Sequence, residues 1–208
     1  MTKKIMFNDK FGLTKAVLEG RKTLTRRICQ EQVWAHSDII NAENGIFHFE
    51  IPKYKVGEVV AVAQSYCSIA DELENCKNAT CAAHYEKNVQ KASEYISWMG
   101  HPGFNNKMFV GADMMIHQIR ITYVRVERLQ EITGECCLKE GITDMGAGGC
   151  LRYSFTENVK QTTGDIIAFS NNFATAKEAF AHLINKVSRK DVWSQNPYVF
   201  VYDFELIK

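Results

Sequence analysis

Apolar residues recur along the chain at spacings that predict both strands and helices. Short apolar runs or alternations predict strands at 4–7, 59–63, 116–129 and 198–206. Helical spacing and capping residues predict helices from Asn8 or Asp9 to Gly20, from Thr133 to Gly141, and from Thr175 to Val187. The last begins with a capping-box pair, Thr175 and Glu178. Few strands alternate with regular helices, so the pattern favours an α+β fold with a small mixed or antiparallel barrel over a doubly wound parallel sheet.

Two segments carry weaker patterns. Residues 66–113 are polar, with a weakly helical run near 85–98 and a Gly-Pro break, which indicates an insertion. Residues 144–173 are rich in glycine and asparagine, so we expect mostly loop there, with a strand at 166–169. The length of 208 residues suits a single domain, 1–208, that contains the insertion.

Composition excludes several classes of protein. The net charge is +1, so a nucleic-acid contact would have to come from a local patch and not from a general basic surface. We expect no membrane association, because no apolar run approaches the length of a membrane span. Seven cysteines, an odd number that includes an adjacent pair, favour reduced thiols and a cytoplasmic location.

The densest charged feature is the segment 21–27, which carries four cations and two threonines. A solvated basic turn explains part of it, because Arg21 and Lys22 follow a helix C-terminus, where cations are favoured. Guanidinium groups beside hydroxyl groups are also suited to binding phosphate oxygens. We therefore give an anion-binding site and a solvated basic turn equal weight. Lys22 and Thr25 would share one side only in a helical turn at 22–25, because a strand would separate them.

Glu140 is the second candidate for chemistry. It lies in the last turn of a predicted helix, where its charge opposes the helix dipole, and a solvent-exposed carboxylate is the simpler interpretation. If it were buried beside Lys22, the two groups would form a proton-transfer pair.

The cysteine and histidine spacing does not predict a metal centre. Cys76, Cys81 and His84 have no standard structural-zinc spacing and lack a fourth ligand, which His101 could supply only by folding back. We therefore expect neither a metal nor another cofactor. The adjacent Cys136 and Cys137 are expected to be packing residues of the short helix.

Four stretches, in order along the chain, resemble the ASCH family. The segment Gly-Arg-Lys-Thr-Leu-Thr-Arg-Arg at 20–27 is similar to the family signature. The stretches at 54–62, at 119–142 and at 193–205 are similar to larger phage- and Bacteroides-type members. The first and last stretches are fairly specific, and the insertion and the 144–173 segment are poorly covered.

The resemblance implies a PUA-like β-barrel with peripheral helices and an RNA-binding cleft. Some small bacterial members are amidohydrolases that deacetylate acetylated cytidine, and their catalytic residues correspond to Lys22, Thr25 and Glu140. The same carry-over places Arg27 against a ligand oxygen. Expected ligand-binding residues are Arg21, Arg26, Arg27, Gln64, Ser65 and Tyr66, the last three standing where many larger members have an acidic residue.

Three functions remain open at the level of the sequence. Binding of RNA or of a nucleoside or nucleotide ranks first, because the family as a whole supports it most. Hydrolysis of an amide on a modified nucleoside ranks second. A phage accessory role through protein contacts ranks third and would require an exposed apolar patch on the insertion. The oligomeric state and the ligand's identity are not predicted.

Overall fold

A computed structural model describes residues 3–29, 52–75, 101–146, 151–161 and 165–207 of the chain. Their contacts divide the chain into two compact units, which are described separately. Unit 1 comprises residues 1–7, 59–119 and 207–208, and unit 2 comprises residues 8–58 and 120–206. The prediction of a single domain stays a prediction.

The described elements are helices and strands in mixed order. In chain order they are β1 (Lys4–Ile5), α1 (Leu13–Leu18), β2 (Leu24–Ile28), β3 (Val59–Val62), α2 (Tyr66–Asn75), β4 (Gln118–Arg128), α3 (Gly134–Lys139), β5 (Thr143–Asp144), β6 (Tyr153–Lys160), β7 (Ile166–Phe173), α4 (Ala176–Ser188), α5 (Val192–Gln195) and β8 (Tyr198–Ile207). The α+β class is confirmed. None of the described helices has the length and apolar character needed to cross a membrane.

The strands form a five-stranded sheet in the order β1-β3-β4-β8-β2 and a three-stranded sheet in the order β5-β6-β7. β1 pairs with β3 in parallel, and β2 pairs with β8 antiparallel, with Arg26 opposite Val201. Over the described residues the larger sheet is open, so the predicted closed barrel is not what the chain forms there. Local patterning indicates that strands exist, whereas closure depends on long-range register that single strands do not encode.

Unit 1 is built on an apolar core between β3, α2 and the segment 110–115. Its buried residues are Ala61, Ala63, Tyr66, Ile69, Val110, Met114 and Met115. The Lys4 ammonium of β1 donates to the carbonyls of Lys107 and Val110, at 3.0 and 2.7 Å. These bonds attach the first strand to the described end of the predicted insertion.

Unit 2 contains the helices that the sequence predicts. The start of the first is corrected, because Asn8 caps only a short 3₁₀ turn, Asp9–Phe11, and α1 begins at Leu13 after a left-handed Gly12. Thr133 accepts from the Cys136 amide at the start of α3, and Thr175 and Glu178 form the capping box of α4. α3 and α4 pack against each other, and α3 also contacts β2. Gly20 follows α1 with a φ of +72°, in the left-handed region, as its predicted role requires.

The segment 144–173 corrects a prediction, because β6 and β7 form a hairpin where mostly loop was expected. All eight residues of β6, from Tyr153 to Lys160, pair with β7. Phe155 is buried against Phe11 and stacks on Phe173, with ring centroids 6.1 and 5.7 Å apart. Cross-strand pairing and this aromatic contact outweigh the weak local propensity of a polar sequence.

β8 also differs from its predicted half-buried alternation. Its first five residues, 198–202, are all buried, because β8 lies between β4 and β2 in the sheet and is covered on both faces. In β4 the predicted inward face ends early: Ile119 and Ile121 are buried, but Tyr123 is exposed.

Gly141 lies where α1 closely approaches the end of α3. Its φ is +104°, and an added Cβ would lie 3.1 Å from Leu13 Cδ2 and 3.7 Å from Lys22 Cδ. Gly141→Ala should therefore lower the free energy of unfolding by about 1–3 kcal/mol in urea denaturation. Gly57→Ala is the matched control, because Gly57 also has a positive φ, +82°, and no atom lies within 4 Å of its added Cβ. Equal effects of the two substitutions would contradict the close approach.

Candidate functional site

The backbone of unit 2 carries Lys22 to the end of α3. The Lys22 amide donates to the Ala16 carbonyl at 2.9 Å, and the Thr23 amide donates to the Lys139 carbonyl at 3.0 Å. Glu140 follows Lys139 as the C-cap residue of α3. Two short local motifs, a helix end and a helix cap, therefore bring residues 118 positions apart in sequence into contact.

Lys22 is buried, with 2% of its surface exposed. Its Nζ donates to the carbonyl oxygens of Leu24 and Glu140, both at 2.8 Å, and to Glu140 Oε2. An ammonium has three N–H donors, so these acceptors match its hydrogen-bonding capacity. The Glu140 carboxylate, 5% exposed, is thus not the solvated group that the simpler interpretation expected.

Arg26 completes the arrangement from β2. Its Nη1 donates to Glu140 Oε1 at 3.2 Å, and its Nε and Nη2 donate to Glu127 Oε1 at 3.0 and 2.5 Å. The guanidinium also lies over the Phe180 ring of α4, 5.8 Å from its centroid. Lys22, Arg26, Glu127 and Glu140 together are called the ion-pair cluster below: two cations and two carboxylates, balanced in formal charge.

The cluster continues toward the surface along β4 and β8. Arg125 donates from Nε to Glu127 Oε2 at 3.0 Å and from Nη1 to Asp203 Oδ2 at 2.9 Å. The side-chain exposed fraction rises from 1% at Arg26 to 16% at Glu127 and 33% at Asp203. Charges of alternating sign thus lead from a buried end to a solvated end.

Burial dominates the electrostatics of Lys22. Desolvation lowers the pKa of its ammonium, Glu140 opposes that shift, and Arg27 and Arg26 add to it. Lys22 therefore gives up its proton more readily than an ordinary lysine. In contrast, burial raises the pKa of the Cys137 thiol to about 12, so that residue stays protonated at neutral pH.

Thr25 does not meet the condition set for a joint site with Lys22. Residues 24–28 form β2, so no helical turn spans 22–25. Thr25 pairs with Tyr202 of β8 and, by strand alternation, points to the face of β2 opposite Arg26. Lys22 reaches the ion-pair cluster because it precedes the strand and its side chain folds back to the Leu24 carbonyl.

The remaining arginines of the segment have other neighbours as well. Arg27 shares the Thr25 face of β2. Burial raises the pKa of Tyr54, and the charge of Arg27 opposes that rise, as it also lowers the pKa of Lys22. Arg21 is half-exposed and donates from Nη2 to Glu19 Oε2 at 2.6 Å. Of the segment's cations, therefore, Lys22 and Arg26 belong to the ion-pair cluster.

Gln64, Ser65 and Tyr66 belong to unit 1 and have contacts of their own there. Gln64 is buried and donates from Nε2 to Glu72 Oε2 at 2.7 Å, and Glu72 also contacts His117 Nε2. Ser65 accepts from the Ser68 amide at 3.2 Å. Tyr66 packs edge-on against the ring of His101, which accepts from the Gly103 amide.

The insertion is described only in part. Its described residues expose two large apolar side chains that are adjacent in sequence, Met108 and Phe109. The accessory role through protein contacts stays a prediction. The cysteines and histidine considered for zinc, Cys76, Cys81 and His84, lie outside the described residues, as does the predicted helical run at 85–98.

Sequence reasoning missed Glu127, Arg125 and Asp203. A signal was present: Arg125 and Glu127 are two apart in a predicted strand and so share one face. The neighbouring strand that supplies Asp203 could not be identified, because pairing between β4 and β8 is a long-range feature.

Removing one charge from the ion-pair cluster should destabilise the fold strongly. Lys22→Met leaves a buried carboxylate without its cation, so the free energy of unfolding in urea should fall by about 3–5 kcal/mol. Lys22→Met/Glu140→Gln removes both charges and should cost less than the sum of the two single substitutions.

The exposed pair of Arg120 and Glu205, 50% and 54% exposed, provides the control. Arg120→Met should cost no more than about 1 kcal/mol, because solvent screens an exposed pair. A Lys22→Met cost as small as this would contradict a buried, mutually dependent cluster.

No family model matches the chain, and neither a curated protein nor a solved structure matches it. Membership of the ASCH family stays a prediction from the motifs, and the function has to be inferred from the geometry of the ion-pair cluster.

Proposed function

We propose that this chain hydrolyses an amide on a modified nucleoside, of which acetylated cytidine is the example, with the Lys22–Glu140 pair as its proton-transfer groups. One observation supports this most: a lysine and a glutamate far apart in sequence are buried in direct contact. These are two of the three positions that the resemblance to ASCH amidohydrolases implies. A titratable pair with a perturbed pKa is typical of acid–base sites.

Each group has a role in the proposed reaction. Neutral Lys22 accepts a proton from the attacking water as the water oxygen bonds to the acyl carbon. Glu140 takes that proton from the Lys22 ammonium through their hydrogen bond. It passes the proton to the leaving nitrogen as the carbon–nitrogen bond breaks, giving the free amine and acetic acid, which loses its own proton to solvent as acetate. Water takes the nucleophile's role in this scheme, because β2 replaces the helical turn at 22–25 that a joint Lys22–Thr25 site was expected to require. Arg26 holds the Glu140 carboxylate in place through its 3.2 Å hydrogen bond.

The same geometry makes RNA binding in an open cationic cleft a weaker hypothesis than hydrolysis. Arg26 directs its donors to Glu127 and Glu140 and is itself buried. A buried arginine committed to two carboxylates contributes little attraction for a phosphate backbone. Hydrolysis of a small substrate therefore moves ahead of RNA binding, the reverse of the order that the sequence favours.

A second candidate, binding of RNA or a nucleotide without turnover, is favoured by the hydrogen bonding of Lys22. Three acceptors around its Nζ suit a charged ammonium that stays protonated and organises the site. Family motifs can persist for binding where the chemistry is absent. A PUA-like fold and a relation to phage proteins are also proposals, and the four motif stretches support them.

The first candidate predicts deacetylation of acetylated cytidine by the purified chain, followed by chromatography of the product. Lys22→Ala and Glu140→Gln should each lower kcat/KM by about 10²–10⁴-fold, the usual contribution of a general acid or base. The rate should rise with pH through the lowered pKa of Lys22, because its neutral form is the base.

Arg120→Ala is the matched control, since that arginine is an exposed cation of unit 2 paired with Glu205. It should keep the wild-type rate. Circular dichroism of each variant checks that the fold is retained. Release of cytidine at equal rates by wild type and by folded Glu140→Gln would reject hydrolysis at this pair.

The second candidate predicts a different result with a short single-stranded RNA probe. Its affinity should fall linearly with the logarithm of salt concentration, and Arg27→Ala should weaken it whereas Arg120→Ala should not. Fluorescence anisotropy measures both. Salt-independent binding, or none, would reject the RNA-binding candidate and leave the hydrolysis assay unaffected.

A further inference from the structure

We propose that a cavity in unit 2 between α1 and the three-stranded sheet binds a small phosphorylated molecule through its phosphate group. The cavity has a volume of about 290 Å³. Its polar lining consists of Lys15, Glu19, Arg21, Thr143, Thr156 and Asn158. This size lies at the lower end of small-ligand pockets, which suits a compact molecule better than a nucleic-acid strand.

One wall is a face of the three-stranded sheet that carries hydrogen-bonding side chains. Thr156 and Asn158 are two apart in β6 and so point to the same side. Thr143 pairs with Ser154, which belongs to that same face, and extends the row into β5. Two hydroxyls and an amide therefore line up toward the cavity. The hydroxyls can donate to an anion, as can the second hydrogen of Asn158 Nδ2, whose first donates to the Asp9 carbonyl at 3.1 Å.

The facing wall carries the charge. Lys15 of α1 and Glu19, the C-cap residue of that helix, lie one turn apart, with Nζ and Oε1 3.8 Å apart, and Arg21 follows. Arg21 and Lys15 share the single carboxylate of Glu19, which leaves an excess of one positive charge. A guanidinium beside an ammonium and hydroxyl groups is the donor set that phosphate oxygens bind best.

The apolar part of the lining indicates what carries the phosphate. Phe11 and Ala16 lie beside the charged wall, and Ala168 pairs with Asn158 on the sheet wall. These surfaces would contact a hydrocarbon or ring portion of a ligand, so a phosphate monoester fits the lining better than free phosphate does.

The cavity is separate from the ion-pair cluster. Gly141 contributes to its lining, whereas Lys22 and Glu140 do not. The inference therefore does not depend on amide hydrolysis at the Lys22–Glu140 pair, and either proposal can fail without the other.

Titration calorimetry with phenyl phosphate and with inorganic phosphate tests the inference on the full chain. Wild type should bind phenyl phosphate saturably and more tightly than inorganic phosphate. Arg21→Ala should raise the Kd for phenyl phosphate about tenfold or more, because a charge-assisted hydrogen bond is lost. Glu19→Gln should lower the Kd, because it removes the carboxylate that competes for Lys15 and Arg21. Arg120→Ala should leave the Kd unchanged.

Opposite effects of Arg21→Ala and Glu19→Gln on the Kd cannot arise from a general loss of folding. Comparing these two variants therefore separates an effect on binding from unfolding. Equal affinity for the two probes, no saturable binding, or identical Kd values in all three variants would overturn the proposal. The proposal would also be overturned if chloride at the same ionic strength gave the same binding heat as phenyl phosphate, because the heat would then come from screening of surface charge.

Discussion

The contact between the Lys22 ammonium and the Glu140 carboxylate is the constraint on which the rest of unit 2 depends. Both groups are removed from water, at 2% and 5% exposure, and burial of either charge by itself would be costly. The pair is tolerated because two backbone carbonyls complete the hydrogen bonding of Lys22, and Arg26 does the same for Glu140. The surrounding helices and strands are arranged to keep these partners in place.

The surrounding structure explains why the contact is so close. The φ of +104° at Gly141 lets the chain leave α3 directly beside Leu13 and the Lys22 stem. The cap of α3 and the start of β2 meet through the Thr23 amide and the Lys139 carbonyl. Glu127 balances Arg26, so the four charges of the ion-pair cluster sum to zero. An arrangement this neutral and dry suits proton transfer within a small substrate more than attraction of a long polyanion.

Local signals in the sequence predicted three helix ends correctly but not the start of α1, which begins at Leu13. Thr133, Thr175 and Gly20 perform the capping roles that their side chains or backbone freedom allow, because capping depends on residues a few positions apart. The meeting of Lys22 with Glu140 followed from the family resemblance and not from spacing, since a contact over 118 residues leaves no local trace.

The failures have the same physical origin. The hairpin of β6 and β7 is polar and acquires its stability from pairing along its full length, which propensity does not report. Arg125, Glu127 and Asp203 were not identified because β4 and β8 become neighbours only in the folded sheet. The position of Thr25 was left conditional on a turn, and the strand that forms there places it on the other face.

The titration of Lys22 tests the central claim most directly. Carbon-13 NMR of lysine labelled at Cε, with Lys22→Met used to assign the signal, follows that ammonium as the pH rises. The buried pair predicts a pKa for Lys22 below that of the exposed lysines, and a still lower pKa in Glu140→Gln, where the stabilising carboxylate is gone. A Lys22 that titrates with the exposed lysines and ignores the Glu140 substitution would contradict it.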